Sequence, residues 1–165
     1  MFYVDLFRTL AVHEVRYVVV GGLALNLHGV QRATMDVDLA LALDALNLGA
    51  CIDAFVALGL TPVAPVALDE ARNPATLRRW REERNMLAFA VRPATGVGPT
   101  VDVLTGSVVA FDDLALRAIV KRVGDVAIPV ASIDDLIAMK RAAGRRIDLS
   151  DIAALEAVKR LGLDR

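Results

Sequence analysis

The sequence predicts a mixed α/β fold, a small mixed sheet flanked by helices with two helices closing the chain. Three observations predict it. A β-branched run, Tyr17 to Val20, stops at Gly21-Gly22. A second strand-like run, DVDLALAL from Asp36 to Leu43, begins shortly afterwards. Apolar residues recur at helical spacing at both ends of the chain. The 165 residues suit one domain, 1–165, with enough interior to dispense with disulfide staples. With 56% hydrophobic and 24% charged residues the chain lies far from disordered composition.

The elements follow in order. Val4, Leu6, Phe7, Leu10 and Ala11 form the apolar stripe of an opening helix. Leu23 to His28 reads as a short helix closed by Gly29, with Gly-Gly as the turn before it. Asp36 to Leu43 alternates and then turns continuously apolar, as a buried strand does. Asn47 to Leu58 is helical and stops at Gly59. Thr61 to Pro74 carries three prolines and reads as a strand fragment and loops. Met86–Val91 and Thr100–Leu104 form two strands of a hairpin across PATGVGP. A short segment starts at Phe111, and Val126–Val130 is a brief strand broken by Pro129. Ser132 opens a helix, with Asp135 three residues on as a capping partner. The last helix begins near Asp148 and runs toward Leu161.

Charge and cysteine content exclude several functions. A net charge of −1 exerts no global pull on nucleic acid or membrane, so a polyanion site must be a local patch. No apolar run reaches the roughly 18 residues of a membrane span. The opening MFYVDLFRTL has an early acid and no cleavage pattern, which speaks against a signal peptide. Cys51, the single cysteine, fits a buried helix position and a reducing, cytoplasmic setting. Two histidines without a Cys/His cluster exclude a zinc centre, and no G-x-S-x-G supports a serine hydrolase.

Chemistry concentrates in VVVGGLALNLHGVQRATMDVDLAL. Residues two apart on a strand share a side, so Asp36 and Asp38 can face one cation. Two carboxylates that close repel until a cation neutralises them, and Mg²⁺ accepts such ligands beside phosphate oxygens. Gly21 and Gly22, at a helix start, leave backbone N–H groups open to a phosphate. Asp102, alone in the apolar run TVDVLTG, needs a partner or a metal and is the candidate third carboxylate. Each piece alone is commonplace, since solvated acids often begin strands and GG is often only a turn.

An apolar strand, GG and then D-h-D-h resembles the signature of the polymerase-β type nucleotidyltransferase superfamily, and implies its fold. The tail ASIDDLIAMKRAAGRRIDLSDIAALEAVKR, with Lys140, Arg145, Arg146, Asp148 and Asp151, resembles AbiEii-like minimal nucleotidyltransferase toxins. The spacer residues His28, Arg32 and Thr34 match the same group. The resemblance covers residues 17–43 and 131–155, with Asp102 added, and leaves 44–98 unmatched. It implies transfer of a nucleoside monophosphate from a nucleoside triphosphate to a hydroxyl, with two Mg²⁺ ions on Asp36, Asp38 and Asp102. Lys140 and Arg146 would hold phosphates, while Arg32 and Thr34 would support the site. Asp148 reads equally as a helix N-cap or a site-supporting group. His28 reads as a packed helix-end residue. Gly22 departs from the serine that many members carry.

The acceptor stays open at this level. The AbiEii resemblance implies RNA, such as a tRNA end, and a partner antitoxin. Arg72, Arg78, Arg79, Arg81 and Arg84 around Trp80 would form a basic stretch with one stacking aromatic, or a solvated helix or loop face with Glu82 and Glu83 as partners. A small-molecule adenylyltransferase of the lincosamide or aminoglycoside kind is the second reading, disfavoured by 5% aromatics. A catalytically silent nucleotide- or partner-binding domain is the third.

Overall fold

The computed structural model describes residues 2–162. Its elements are α1 (Phe2–Val12), β1 (Tyr17–Val20), α2 (Gly21–Leu27), β2 (Val37–Leu41), α3 (Ala45–Ala57) and β3 (Leu60–Pro62). A 3₁₀ turn (Leu68–Arg72), α4 (Pro74–Arg84), β4 (Ala88–Pro93), β5 (Val101–Leu104) and α5 (Phe111–Arg117) follow. β6 (Ile119–Val123), β7 (Val126–Val130), α6 (Ile133–Ala143) and α7 (Arg146–Leu161) complete the order. Seven strands form one mixed sheet in the order β3-β4-β5-β2-β1-β7-β6. β1 is antiparallel to β2 and parallel to β7, and β2 is parallel to β5.

The expected mixed sheet with flanking helices is therefore present, and the hairpin is β4–β5, with Ala90 opposite Asp102. The N-terminal stripe buries Leu6, Phe7 and Leu10. Cys51 is buried, its thiol pushed up to about 12 by burial. Among the described residues no helix is long and apolar enough to cross a membrane.

Four expectations change. Pro129 does not break its strand but sits within β7 opposite Val120, on a β6 that the periodicity concealed. Gly21 and Gly22 form the first turn of α2 itself. α7 begins at Arg146, so Asp148 is its third residue rather than its cap. Residues 74–84 form α4, with the Asn73 side chain accepting from Ala75 N, Pro74 in the first turn and Asn85 closing it at φ 49°. Trp80 on that helix is 1% exposed and packs on Phe89, ring centroids 5.5 Å apart, so it cannot stack on a nucleic acid base.

The two halves of the sheet are covered differently. β1 is buried at every position. In β4, Phe89 and Val91 are buried on one face, while Ala88 and Ala90 on the other are only half-buried and Arg92 is exposed. β5 repeats the alternation, with Val101 and Val103 buried and Asp102 and Leu104 half-buried. α4 and the 3₁₀ turn send Leu77, Trp80 and Ala71 into the core that covers the first face.

Candidate active site

Register brings the candidate acids together. Val20, the last residue of β1, stands opposite Asp38 in β2, and Asp38 stands beside Asp102 in β5. Strands distant in sequence thus place two carboxylates on one sheet face, and Asp36 precedes them at the mouth of β2. All three line an open cleft of about 560 Å³, together with Gly21, Gly22, Arg32, Thr34, Lys140 and Arg145. Leu87, Leu104, Leu136, Met139 and Ala143 supply its apolar walls.

The Gly-Gly turn is shaped around these acids. Gly21 adopts φ +65°, and a Cβ built there would overlap the Asp38 carboxylate, so both backbone and space demand glycine. A Cβ on Gly22 would lie 2.9 Å from Thr34 Oγ1 and 3.0 Å from its Cβ. The Thr34 hydroxyl thus occupies the space beside which a serine side chain would stand. That is the physical counterpart of glycine at position 22.

The acids are electrostatically strained. Burial first, then the Asp102 charge, push the Asp38 carboxyl up to about 6, against a hydrogen bond from the Gly22 backbone that works to lower it. Burial and the Asp36 charge raise Asp102 as well. Asp36 Oδ1 accepts the Thr100 N–H at 3.2 Å, tying the start of β2 to the start of β5. Among the described residues no three His, Cys, Asp or Glu side chains are already gathered in a metal-binding arrangement. Three carboxylates facing one cleft, two of them raised, nevertheless fit a divalent cation, because its charge relieves the repulsion that raises them.

Opposite the acids lies an ion-paired cluster from α6, α7 and the α2–β2 loop. Lys140 Nζ donates to Asp151 Oδ2 at 2.7 Å and to Asp148 Oδ1 at 3.4 Å. Arg32 Nε stands 3.3 Å from Asp151 Oδ1. Arg145 donates Nε and Nη2 to Asp148 at 3.0 and 3.2 Å, and its backbone N–H at 3.0 Å. Burial acts to raise Asp148, and the Arg145 guanidinium and N–H overcome it, holding the carboxyl below the usual range. Asp148 is thus not the N-cap of α7 but its third residue, whose carboxylate accepts the Arg145 N–H at the helix start and also pairs with Arg145 and Lys140.

Of the sequence candidates, Asp36, Asp38, Asp102, Gly21, Gly22, Lys140, Arg32 and Thr34 meet in the cleft, and Asp148 lies behind its wall. Arg146 does not line it; its neighbour Arg145 does. Both arginines after Gly144 are exposed, but Arg145 reaches the buried Asp148 carboxylate and lines the cleft, whereas Arg146 does not line it. Asp151 went unassigned in the sequence, although its position three residues after Asp148 placed it one helical turn along the same face. His28 is packed, its Nε2 2.8 Å from the Ala131 carbonyl oxygen.

A family model described as "Nucleotidyl transferase AbiEii toxin, Type IV TA system" matches residues 5–153. The chain belongs to the AbiEii nucleotidyltransferase toxin family. No curated protein matches the sequence. Among solved structures, the crystal structure of ANT(2")-Ia in complex with adenylyl-2"-tobramycin is similar, with a TM-score of 0.59 and 11% identity. The match covers 97% of this chain and 92% of that one. At that identity the likeness supports the nucleotidyltransferase fold, and the AbiEii membership carries the enzyme class.

Proposed function

We propose that this AbiEii-family enzyme is a cytoplasmic, single-domain, Mg²⁺-dependent nucleotidyltransferase of the toxin type. It would move a nucleoside monophosphate from a nucleoside triphosphate onto an RNA hydroxyl, such as a tRNA end, under the control of an antitoxin. The observation that carries the catalytic part is the in-register pairing of Asp38 and Asp102 on the cleft face, beside a position, Gly21, that only glycine can fill.

Asp36, Asp38 and Asp102 would hold Mg²⁺, two ions in the loaded site, which lower the acceptor hydroxyl's pKa and neutralise charge on the phosphates. Thr34 and the α2 backbone would bind the triphosphate beside Asp38. Lys140 and Arg32, fixed by Asp151, and Arg145, fixed by Asp148, would offset negative charge across the cleft. The acceptor oxygen forms a bond to the α-phosphorus while the bond from α-phosphorus to the bridging oxygen breaks, and pyrophosphate leaves. The hydroxyl proton would pass to Asp102, which stands beside Asp38 on the cleft face.

The test incubates the protein and its Asp38→Asn variant with Mg²⁺, each α-labelled nucleoside triphosphate and total bacterial RNA. Label in a discrete RNA band, lost in the variant, is expected. Equal labelling by the variant would overturn the assignment of Asp38.

A further inference from the structure

We infer that Tyr3, on the opening helix, is a positioning residue for the cleft: its hydroxyl fixes the segment that carries Thr34 and Asp36. This rests on the transferase reading of those two residues and adds the device that sets their places.

The segment needs such a device. Residues 30–36 join α2 to β2 without regular secondary structure, yet they carry Arg32, Thr34 and Asp36, all of which line the cleft. Side chains therefore do here what a strand ladder does elsewhere. At the near end, Asn26 Oδ1 accepts the Arg32 N–H at 2.9 Å, and Arg32 Nε stands 3.3 Å from Asp151 Oδ1. At the far end, the Val37 N–H donates to the Thr100 carbonyl oxygen at 2.9 Å, and Asp36 Oδ1 accepts the Thr100 N–H. Between these ties, Tyr3 Oη donates to the Met35 carbonyl oxygen at 2.7 Å.

That carbonyl belongs to the planar peptide joining Met35 to Asp36, so holding its oxygen orients the backbone from which Asp36 departs. Thr34, one residue back, is kept against Gly22 by the same bond. The hydroxyl is itself firmly placed. The Tyr3 ring packs edge-on against Phe2, with centroids 5.8 Å apart and planes at 82°. With Val4, Phe7, Leu27 and Ile128 it also walls an apolar pocket of about 200 Å³ between α1, α2 and β7. An apolar body thus anchors a polar tip. The bond lies at the surface and Met35 is 66% exposed, so water could satisfy the same carbonyl. Burial does not demand this bond, and its effect falls on geometry more than on stability.

Tyr3→Phe removes one oxygen and keeps the ring. Hydrogen exchange on the metal-free full chain follows the peptide spanning residues 30–37. Calorimetry follows the binding of ATP, CTP, GTP and UTP over a series of Mg²⁺ concentrations. In Tyr3→Phe, exchange in that peptide should quicken about fivefold, and the Mg²⁺ concentration for half-maximal nucleotide binding should rise about fivefold. The Tm should stay within about 2 °C of the wild type. Val4→Ala, which loosens the same pocket wall and leaves the hydroxyl, should instead lower the Tm and leave the Mg²⁺ requirement unchanged. Exchange and Mg²⁺ requirement unmoved in Tyr3→Phe would overturn the role. So would a Val4→Ala variant that shifts the Mg²⁺ requirement as far as Tyr3→Phe does, since packing alone would then explain both. Either result leaves the transferase reading intact, whereas a wild type that binds no nucleotide at any Mg²⁺ concentration overturns both.

Discussion

The two walls of the cleft handle charge in opposite ways. On the sheet wall, Asp36, Asp38 and Asp102 face one another with no basic side chain among the described residues hydrogen-bonded to any of them, and Asp38 and Asp102 are raised. On the helix wall, Lys140, Arg32 and Arg145 are each met by Asp148 or Asp151. On the proposed reading the first arrangement would be completed by a cation from outside, whereas the second is ion-paired as it stands. The difference teaches where ligand energy would enter: a cation would stabilise the sheet wall, and the helix wall is the prebuilt scaffold opposite it.

The largest effect that would break this comparison is on turnover. Asp38→Asn should lower nucleotidyl transfer by about 10³-fold, a loss of roughly 4 kcal/mol in transition-state stabilisation. The same change should raise the Tm of the metal-free protein, because a repelling charge is gone. An unfolded variant, or a lowered Tm, would mean that Asp38 supports the fold instead. Lys140→Met should act in the reverse sense. It removes the shared partner of two buried carboxylates and leaves Asp148 only Arg145 and Asp151 only Arg32, which costs about 1–3 kcal/mol, and should lower the Tm by roughly 5 °C in a thermal scan. A Tm unmoved by that change would show that the helix wall is not a scaffold.

A pH scan sharpens the contrast. Asp38 is raised from 3.8 to about 6, so its ionisation opposes folding. Its unfavourable contribution is absent below pH 3.8, grows between pH 3.8 and 6, and is full above that. The metal-free Tm should therefore decline across this window, and added Mg²⁺ should recover it above pH 6. Activity should fall as pH drops through about 6, where the carboxyl protonates and no longer binds metal. Mg²⁺ protection that is equal well below and well above this window would contradict this.

The smallest effect concerns Gly22 and Thr34. Thr34→Ala should raise KM for the nucleoside triphosphate several-fold, and Gly22→Ser alone should clash with the Thr34 side chain. The double variant Gly22→Ser/Thr34→Ala should recover most of the loss, since the new hydroxyl enters the vacated space. A double variant worse than either single change would refute the exchange.

These residues also show what was legible from the sequence. Asp36, Asp38 and the Gly-Gly turn were readable because strand periodicity and glycine's conformational freedom are local. Asp102 was readable as an acid too costly to bury alone. Its pairing with Asp38 was not, because β2 and β5 are parallel and about sixty residues apart, and no local pattern reports such a register. β6 was hidden because in IVKRV Ile119 is only half-buried and Val120 and Val123 are exposed, so no buried face marks the strand. α4 was left open between helix and loop because its charged residues masked the buried Leu77 and Trp80, although Asn73, Pro74 and Asn85 marked its ends. That Arg145 rather than Arg146 lines the cleft was not legible, because the corner after Gly144 decides which of two adjacent arginines reaches Asp148, and spacing cannot.

The parallel pairing of β2 with β5 has a consequence for synthesis. A growing chain that has just emitted Asp36 and Asp38 holds the recognisable half of the signature but nothing beside it. β5 must leave the ribosome and cross to β2 before Asp38 has its neighbour, and Lys140 and Asp151 must follow before the opposite wall exists. On the proposed reading of the cleft, activity waits until α7 has been made.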